Sequence, residues 1–221
     1  MNLNSFDEPD TSTAFYLFGP VDERISKRFC KWLDNISALS PMPVQVFINS
    51  PGGDVTDMLA MMNAMERSEH HIITIGTGLA ASAAFTLLVN GDTRTAYPDA
   101  QLMYHELSSM SYGKHHELAA GQKMVDRLHE LLENKILNAA PKKMHKKIKK
   151  TLFTKTDVWI TPADLLELGL LDSVPGVSLV EPKELKVESD EKEILSKEAP
   201  QQLGQIIRLK AGRKATLRKT W

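Results

Sequence analysis

Three side chains in this sequence have the types that acyl transfer requires: a hydroxyl at Ser82, an imidazole at His105 and a carboxylate at Asp157. In such a set the hydroxyl attacks a carbonyl, the imidazole takes and returns its proton, and the carboxylate fixes the tautomer and orientation of the ring. Ser82 follows Gly78-Leu79-Ala80-Ala81 and stands at the front of an apolar segment, where a helix start would leave backbone N–H groups unpaired. Serine is also among the preferred helix N-cap residues, so its position alone fits a purely structural role equally well. His105 comes directly after the strand-like run Gln101 to Tyr104, at a strand end of the kind that faces a cleft, and a structural histidine would fit there too. Asp157 precedes Val158-Trp159-Ile160 and could sit at the rim of the same cleft or be an ordinary surface acid. Spacing cannot show that the three meet.

A fourth feature is the turn Asn49-Ser-Pro-Gly-Gly53, whose glycines let the backbone approach a ligand with no Cβ in the way. Such a turn suits donation of N–H groups to developing negative charge, and it also serves as a plain strand-to-helix turn.

The elements that must position these groups follow from hydrophobic period and punctuation. Phe15 to Phe18 reads as a strand, and Asp22 to Ile36 as an amphipathic helix with Ile25, Phe29, Trp32, Leu33 and Ile36 on one face. Val44 to Ile48 reads as a buried strand, and a helix opens at Asp54 with Met58, Leu59, Met61, Met62 and Met65 spaced for core packing. His71 to Ile75 reads as a strand that Gly76 to Gly78 breaks, with an apolar helix from Ala80 to Val89. Gln101 to Tyr104 is a further strand, followed by a polar loop through Gly113 and a long helix from His115 to Asn138. Lys142 to Lys150 places Met144, Ile148 and Leu152 at helical spacing among lysines that stay in water. Thr161-Pro162-Ala163-Asp164 is a helix start, and Gly169 is its stop. Strands alternating with helices predict an α/β fold with a parallel sheet.

Composition narrows the function. The 221 residues carry 27 basic and 28 acidic side chains, a formal net charge of -1, so no global field points to nucleic acid or a membrane surface. Cys30 is the only cysteine, the first residues are polar and acidic, and no apolar run approaches the roughly 18 residues that cross a bilayer, which predicts a cytoplasmic protein. The pair His115-His116 beside Glu117 points its side chains to different faces of a helix, so no metal site and no cofactor is expected. From Pro175 the composition changes: 181–198 leans acidic and 205–221 is basic, which predicts a charged, partly disordered tail. The expected organisation is a short arm over 1–14, a catalytic domain over 15–174 and the tail over 175–221.

Phe47-Ile-Asn-Ser-Pro-Gly-Gly53, Gly78-Leu-Ala-Ala-Ser82, Leu102-Met-Tyr-His105, Thr156-Asp157 and Gly169-Leu-Leu-Asp172, in this order, resemble the motif set of the ClpP peptidase family. The resemblance runs from Phe15 to Val174. It implies a ClpP/crotonase-like spiral of repeated β-β-α or β-α units with a long handle helix. It also implies a serine endopeptidase with Ser82 as nucleophile, His105 as base and Asp157 as its orienting acid. By the same resemblance the N–H groups of Gly53 and Ala83 form the oxyanion hole, and an extended polypeptide substrate lies along Gly52, Val55, Leu107, Ser108 and Ser109. The handle implies homo-oligomeric rings enclosing a chamber.

The chain departs from the family pattern at Ala83, where methionine is usual, and at Glu106-Leu107, where Gln-Pro is usual. The segment before Phe15 lacks the family's basic, aromatic-containing loop, which leaves docking of an AAA+ unfoldase unassigned. The short front and charged tail resemble ClpP-like peptidases that bacterial viruses encode for capsid maturation, with capsid or scaffold proteins as partners. Two other readings stand beside the peptidase: a crotonase-like acyl-CoA enzyme, which shares the backbone oxyanion hole, and a ClpP-like ring component without catalysis.

Overall fold

One buried position alternates with one exposed position along Ala14–Phe18 and Val44–Ser50, which form strands β1 and β2 and pair in parallel. The computed structural model describes residues 12–37, 42–107 and 114–177. Between these strands runs helix α1, Glu23–Ile36, whose N-cap Asp22 accepts from the Ile25 amide. Its apolar face buries Phe29 and Trp32 against Phe15 of β1, with ring centroids 5.1 and 5.3 Å from Phe15. Helix α2, Val55–Arg67, begins after Asp54, whose carboxylate caps the Thr56 and Asp57 amides. Met58, Met61, Met62 and Met65 are all buried, as core packing requires.

Strand β3 differs from its expected form. Gly76 to Gly78 do not break it; it runs unbroken over Ile72–Ala81, and the helix after it, α3, covers only Ala83–Val89 rather than starting at Ala80. The reason lies in its partners. Along one edge β3 pairs with β2, with a register shift between Ile48 and Ser50. Along the other it pairs first with β4, Thr93–Ala96, through Ile73 to Gly76, and then with β5, Gln101–Tyr104, through Leu79 to Ala81. The glycines lie where the neighbour changes. A Cβ at Gly76 would stand 3.1 Å from that of Ala96, and one at Gly78 would meet the Asn49 side chain at 2.7 Å. Asn49 fills that space and accepts from the Leu79 amide at 3.0 Å. Glycine here marks close approach within a strand.

Helix α4, His115–Asn138, is followed by a short 3-10 turn and by α5, His145–Thr151, with Ile148 and Leu152 fully buried beneath exposed lysines. Strand β6, Val158–Ile160, then pairs with β5 antiparallel, so the sheet is mostly parallel with one antiparallel edge, in the order β1-β2-β3-β5-β6 with β4 joined to β3. Helix α6, Pro162–Glu167, is capped by Thr161 and is followed by Gly169 at φ 73. Among the described residues no helix is long and apolar enough to cross a membrane. The chain divides after Pro175 into two units, and of the second only Gly176 and Val177 are described. The expected N-terminal arm before residue 12, the polar loop over 108–113 and the charged tail beyond 177 lie outside the described residues.

One ion pair ties the end of α4 and the last turn of the domain to the sheet. Arg94 of β4 donates to both oxygens of Asp172, at 2.9 and 2.6 Å, and also to the Ala139 carbonyl. Its side chain is 11% exposed against 40% for Asp172, so the buried partner is the costlier one to orphan. Burial alone would raise the Asp172 carboxyl, but the hydrogen bonds and charge of Arg94 outweigh it and hold the group below its usual range. Its contribution is therefore whole above about pH 4 and fades as acid protonates the folded carboxylate. Arg94→Leu should lower the unfolding free energy by about 1–3 kcal/mol in urea titrations at neutral pH. The stability gap between the natural chain and Asp172→Asn should shrink as the pH is lowered below about 4; a constant gap would refute the pairing.

Candidate active site

Because β3 ends at Ala81 and α3 begins at Ala83, Ser82 makes the whole turn between them. Its backbone lies at φ 55 and ψ -121, and it is the only non-glycine with positive φ among the described residues. A backbone of this kind costs about 1–3 kcal/mol and persists only where the surroundings impose it. Here the Ser82 amide donates to the Met103 carbonyl at 2.9 Å, and the Ser82 carbonyl accepts from the Thr86 amide at 3.2 Å. Gly52, at φ 88, presses on the turn from the β2 side: a Cβ there would stand 2.5 Å from the Ala81 carbonyl oxygen and 2.8 Å from Ser82 Cβ. A sharp strand-to-helix turn of this form exposes a side chain at the top of a sheet.

The Ser82 hydroxyl is not spent on capping α3. It lies 2.8 Å from His105 Nε2. The imidazole follows the last residue of β5, and the ladder pairing Ala81 with Met103 brings these two strand ends side by side. Both residues are half-buried, so each is reachable from solvent. An imidazole in hydrogen-bond contact with a serine hydroxyl is the arrangement in which the hydroxyl can lose its proton as it attacks.

Asp157 lies one residue before β6. The antiparallel ladder pairs Tyr104 with Val158, so the next step along it sets His105 opposite Asp157. Asp157 is exposed, and among the described residues no hydrogen bond or ion pair joins it to His105. The strands thus bring Ser82 and His105 into contact and carry Asp157 to the facing position without a bond.

Gly53 and Ala83 line the same cleft. The bridge between Val21 and Gly53 uses the Gly52 carbonyl and the Asp54 amide, at 2.8 Å each, and leaves the Gly53 N–H unused by it. Ala83 is the first residue of α3, where a helix has no acceptor for its N–H. A cleft of about 70 Å³ opens beside these groups, lined by Gly53, Ser82, Ala83 and His105 together with Val55 and Leu107. Gly52 supports the turn from behind, while Ser108 and Ser109 lie outside the described residues.

Six further residues line the cleft without having been assigned a part in its chemistry: Met58, Thr86, Tyr104, Glu106, His129 and Leu132. Met58 carried a signal only as a core position. His129 interrupts the apolar stripe of α4, four residues after Val125 and three before Leu132, and that interruption was its signal. Burial first, and then the charges of Glu133 and Glu106, push the Tyr104 phenol well above its usual range, so its O–H stays protonated.

The chain matches the family model described as Clp protease over residues 6–177. It is 32% identical to ATP-dependent Clp protease proteolytic subunit 2 of Nocardia farcinica over 164 residues, covering 72% of this chain and 78% of the relative. It is 24% identical to ATP-dependent Clp protease proteolytic subunit 3 of Rhizobium etli over 165 residues, covering 74% and 84%.

Gly52→Ala tests the turn directly, since both its φ and its contacts refuse a Cβ. A shift of the Ser82 turn by about 1 Å should slow phosphonylation of Ser82 by a fluorophosphonate, with loss of fluoride, roughly 100-fold. Labelling at the natural rate would mean that Gly52 does not set the turn.

Proposed function

Because the chain belongs to the Clp protease family, we propose that it is a serine endopeptidase that hydrolyses polypeptides through an acyl-enzyme, with Ser82, His105 and Asp157 as its triad. The observation that carries the reading is the 2.8 Å contact of Ser82 Oγ with His105 Nε2 at a strained turn. Ser82 Oγ attacks the scissile carbonyl while His105 takes its proton, and the Gly53 and Ala83 amides donate to the oxyanion. His105 then hands the proton to the leaving amine. Water, deprotonated by the same imidazole, releases the acyl group and regenerates Ser82.

Asp157 serves by turning His105 so that Nε2 faces the serine. Residues directly opposite on antiparallel strands have Cβ atoms about 4.5–5.5 Å apart, so rotation of its side chain suffices to reach Nδ1. The substrate lies extended between the segment after Gly53 and the segment after His105, with Val55 and Leu107 against it.

The protein assembles as homo-oligomeric rings in this reading. Leu118, Met124 and Leu131 of α4 are exposed in the single chain and supply an apolar surface for a second copy. Cytoplasmic capsid maturation, with capsid or scaffold proteins as substrates, belongs to the same proposal and rests on the charged composition of 181–221, which lies outside the described residues.

Fluorophosphonate labelling followed by intact-mass analysis should add one adduct per chain, and Ser82→Ala should lose both the adduct and the hydrolysis of fluorogenic peptides. Asp157→Asn should lower turnover by about 10⁴ with labelling site unchanged. Peptide hydrolysis that survives Ser82→Ala would end the proposal, and a chain that never labels would favour the acyl-CoA or scaffold readings.

A further inference from the structure

The cleft beside Ser82 has a wall that Ser82, His105 and the backbone donors do not account for. Val55 and Met58 of α2 and Leu132 of α4 make part of it apolar, and Thr86, Tyr104 and His129 line it as well. Its volume of about 70 Å³ holds roughly five to seven water-sized groups, which suits one side chain of medium length.

His129 is the unusual member. It lies on α4, 24 residues after His105 in the sequence, and belongs to no part of the acyl-transfer set. Its Nε2 is 3.2 Å from Glu133 Oε1 one turn later, and both side chains are largely sheltered, 31% and 26% exposed. A carboxylate accepts, so the bond uses the hydrogen on Nε2, and in that tautomer Nδ1 is an acceptor. Tyr104 supplies the complementary group, since burial and the nearby Glu133 and Glu106 charges keep its hydroxyl a donor. The same two carboxylates disfavour an anion in the cleft.

We infer that this cleft is the subsite for the side chain on the acyl side of the scissile bond, that it selects an apolar stem ending in a carboxamide, namely glutamine, and that His129 is the residue that sets the preference. The inference rests on Ser82 being the acylated nucleophile. A carboxamide offers an N–H donor to Nδ1 and a carbonyl acceptor to Tyr104, and its methylenes lie against Met58 and Leu132. Methionine has similar length with no such tip, and glutamate has the same shape with a charge that Glu133 opposes.

The test uses the full chain and four fluorogenic peptides that differ only in having Gln, Glu, Met or Leu before the scissile bond. Values of kcat/KM are normalised to sites titrated by fluorophosphonate. The natural protein should favour Gln over Met by about 3- to 10-fold, the worth of one neutral hydrogen bond, and Gln over Glu by more. In His129→Leu the Gln-to-Met ratio should fall about 3- to 10-fold, and His129→Asn, which restores an amide in place of the ring, should recover part of it. A natural preference for Met or Leu over Gln would overturn the inference. So would a His129→Leu variant that labels normally yet loses all four substrates in proportion, because that is a packing defect. Failure of the natural chain to label would instead remove the acyl-enzyme reading beneath it, a result distinct from either.

Discussion

The structure depends on a single strand having to serve two neighbours in turn. β3 lies against β4 in its first half and against β5 in its second, and it can do so only if its backbone continues past the point where β4 ends. That continuity sets Ser82 beside the end of β5. The ladder that pairs Ala81 with Met103 and the bond from the Ser82 amide to the Met103 carbonyl leave Ser82, the residue after Ala81, and His105, two residues after Met103, at adjacent strand ends. The 2.8 Å contact is thus a consequence of register, and a slip by one residue would turn the histidine to the opposite face.

Sheet order explains why the remaining groups converge. Neighbouring strands β2, β3, β5 and β6 supply, in that order, the glycine turn, Ser82, His105 and Asp157. The first three arrive at the carboxyl ends of parallel strands, where α/β sheets open their clefts. Asp157 arrives at the start of an antiparallel strand, which places it at the same end of the sheet. Four segments separated by as many as about a hundred residues in the chain therefore meet at one end of the sheet, and the strain at Ser82 is borne by Gly52 on one side and β5 on the other.

Much of this was legible in the residues because the local rules agree with the fold. The amphipathic α1, the methionine face of α2, the bounds of α4 and the capped start of α6 all stand where period and capping put them. The misreading fell on Gly76 to Gly78 and on Ala80-Ala81. Taken locally, glycines end a strand and alanines begin a helix, but strand pairing on both edges outweighs a propensity difference of about 1 kcal/mol per residue. Strand β4, with its Thr-Arg-Thr-Ala sequence, shows little apolar alternation, since Arg94 is held there by Asp172 rather than by a hydrophobic face. The side chains Ser82, His105 and Asp157 were legible as types, and the motif resemblance gave them roles; their proximity was not, because it comes from sheet register between distant segments.

What the sequence concealed most fully is the inner wall of the cleft. A lining residue on a helix looks like a core residue, since both repeat at the helical period, and Met58 and Leu132 are buried in either case. Only a polar residue at an inward position breaks the ambiguity, because burying an imidazole without a partner carries a cost that an apolar residue would avoid. Glu133, four residues on, supplies that partner, and the pair leaves a hydrogen-bonding nitrogen where packing alone would call for a methyl group. Ser82 and His105 are therefore set side by side by the sheet, while His129 and Leu132 come to the cleft from a helix outside it, so that wall can vary without disturbing the register that joins Ser82 to His105.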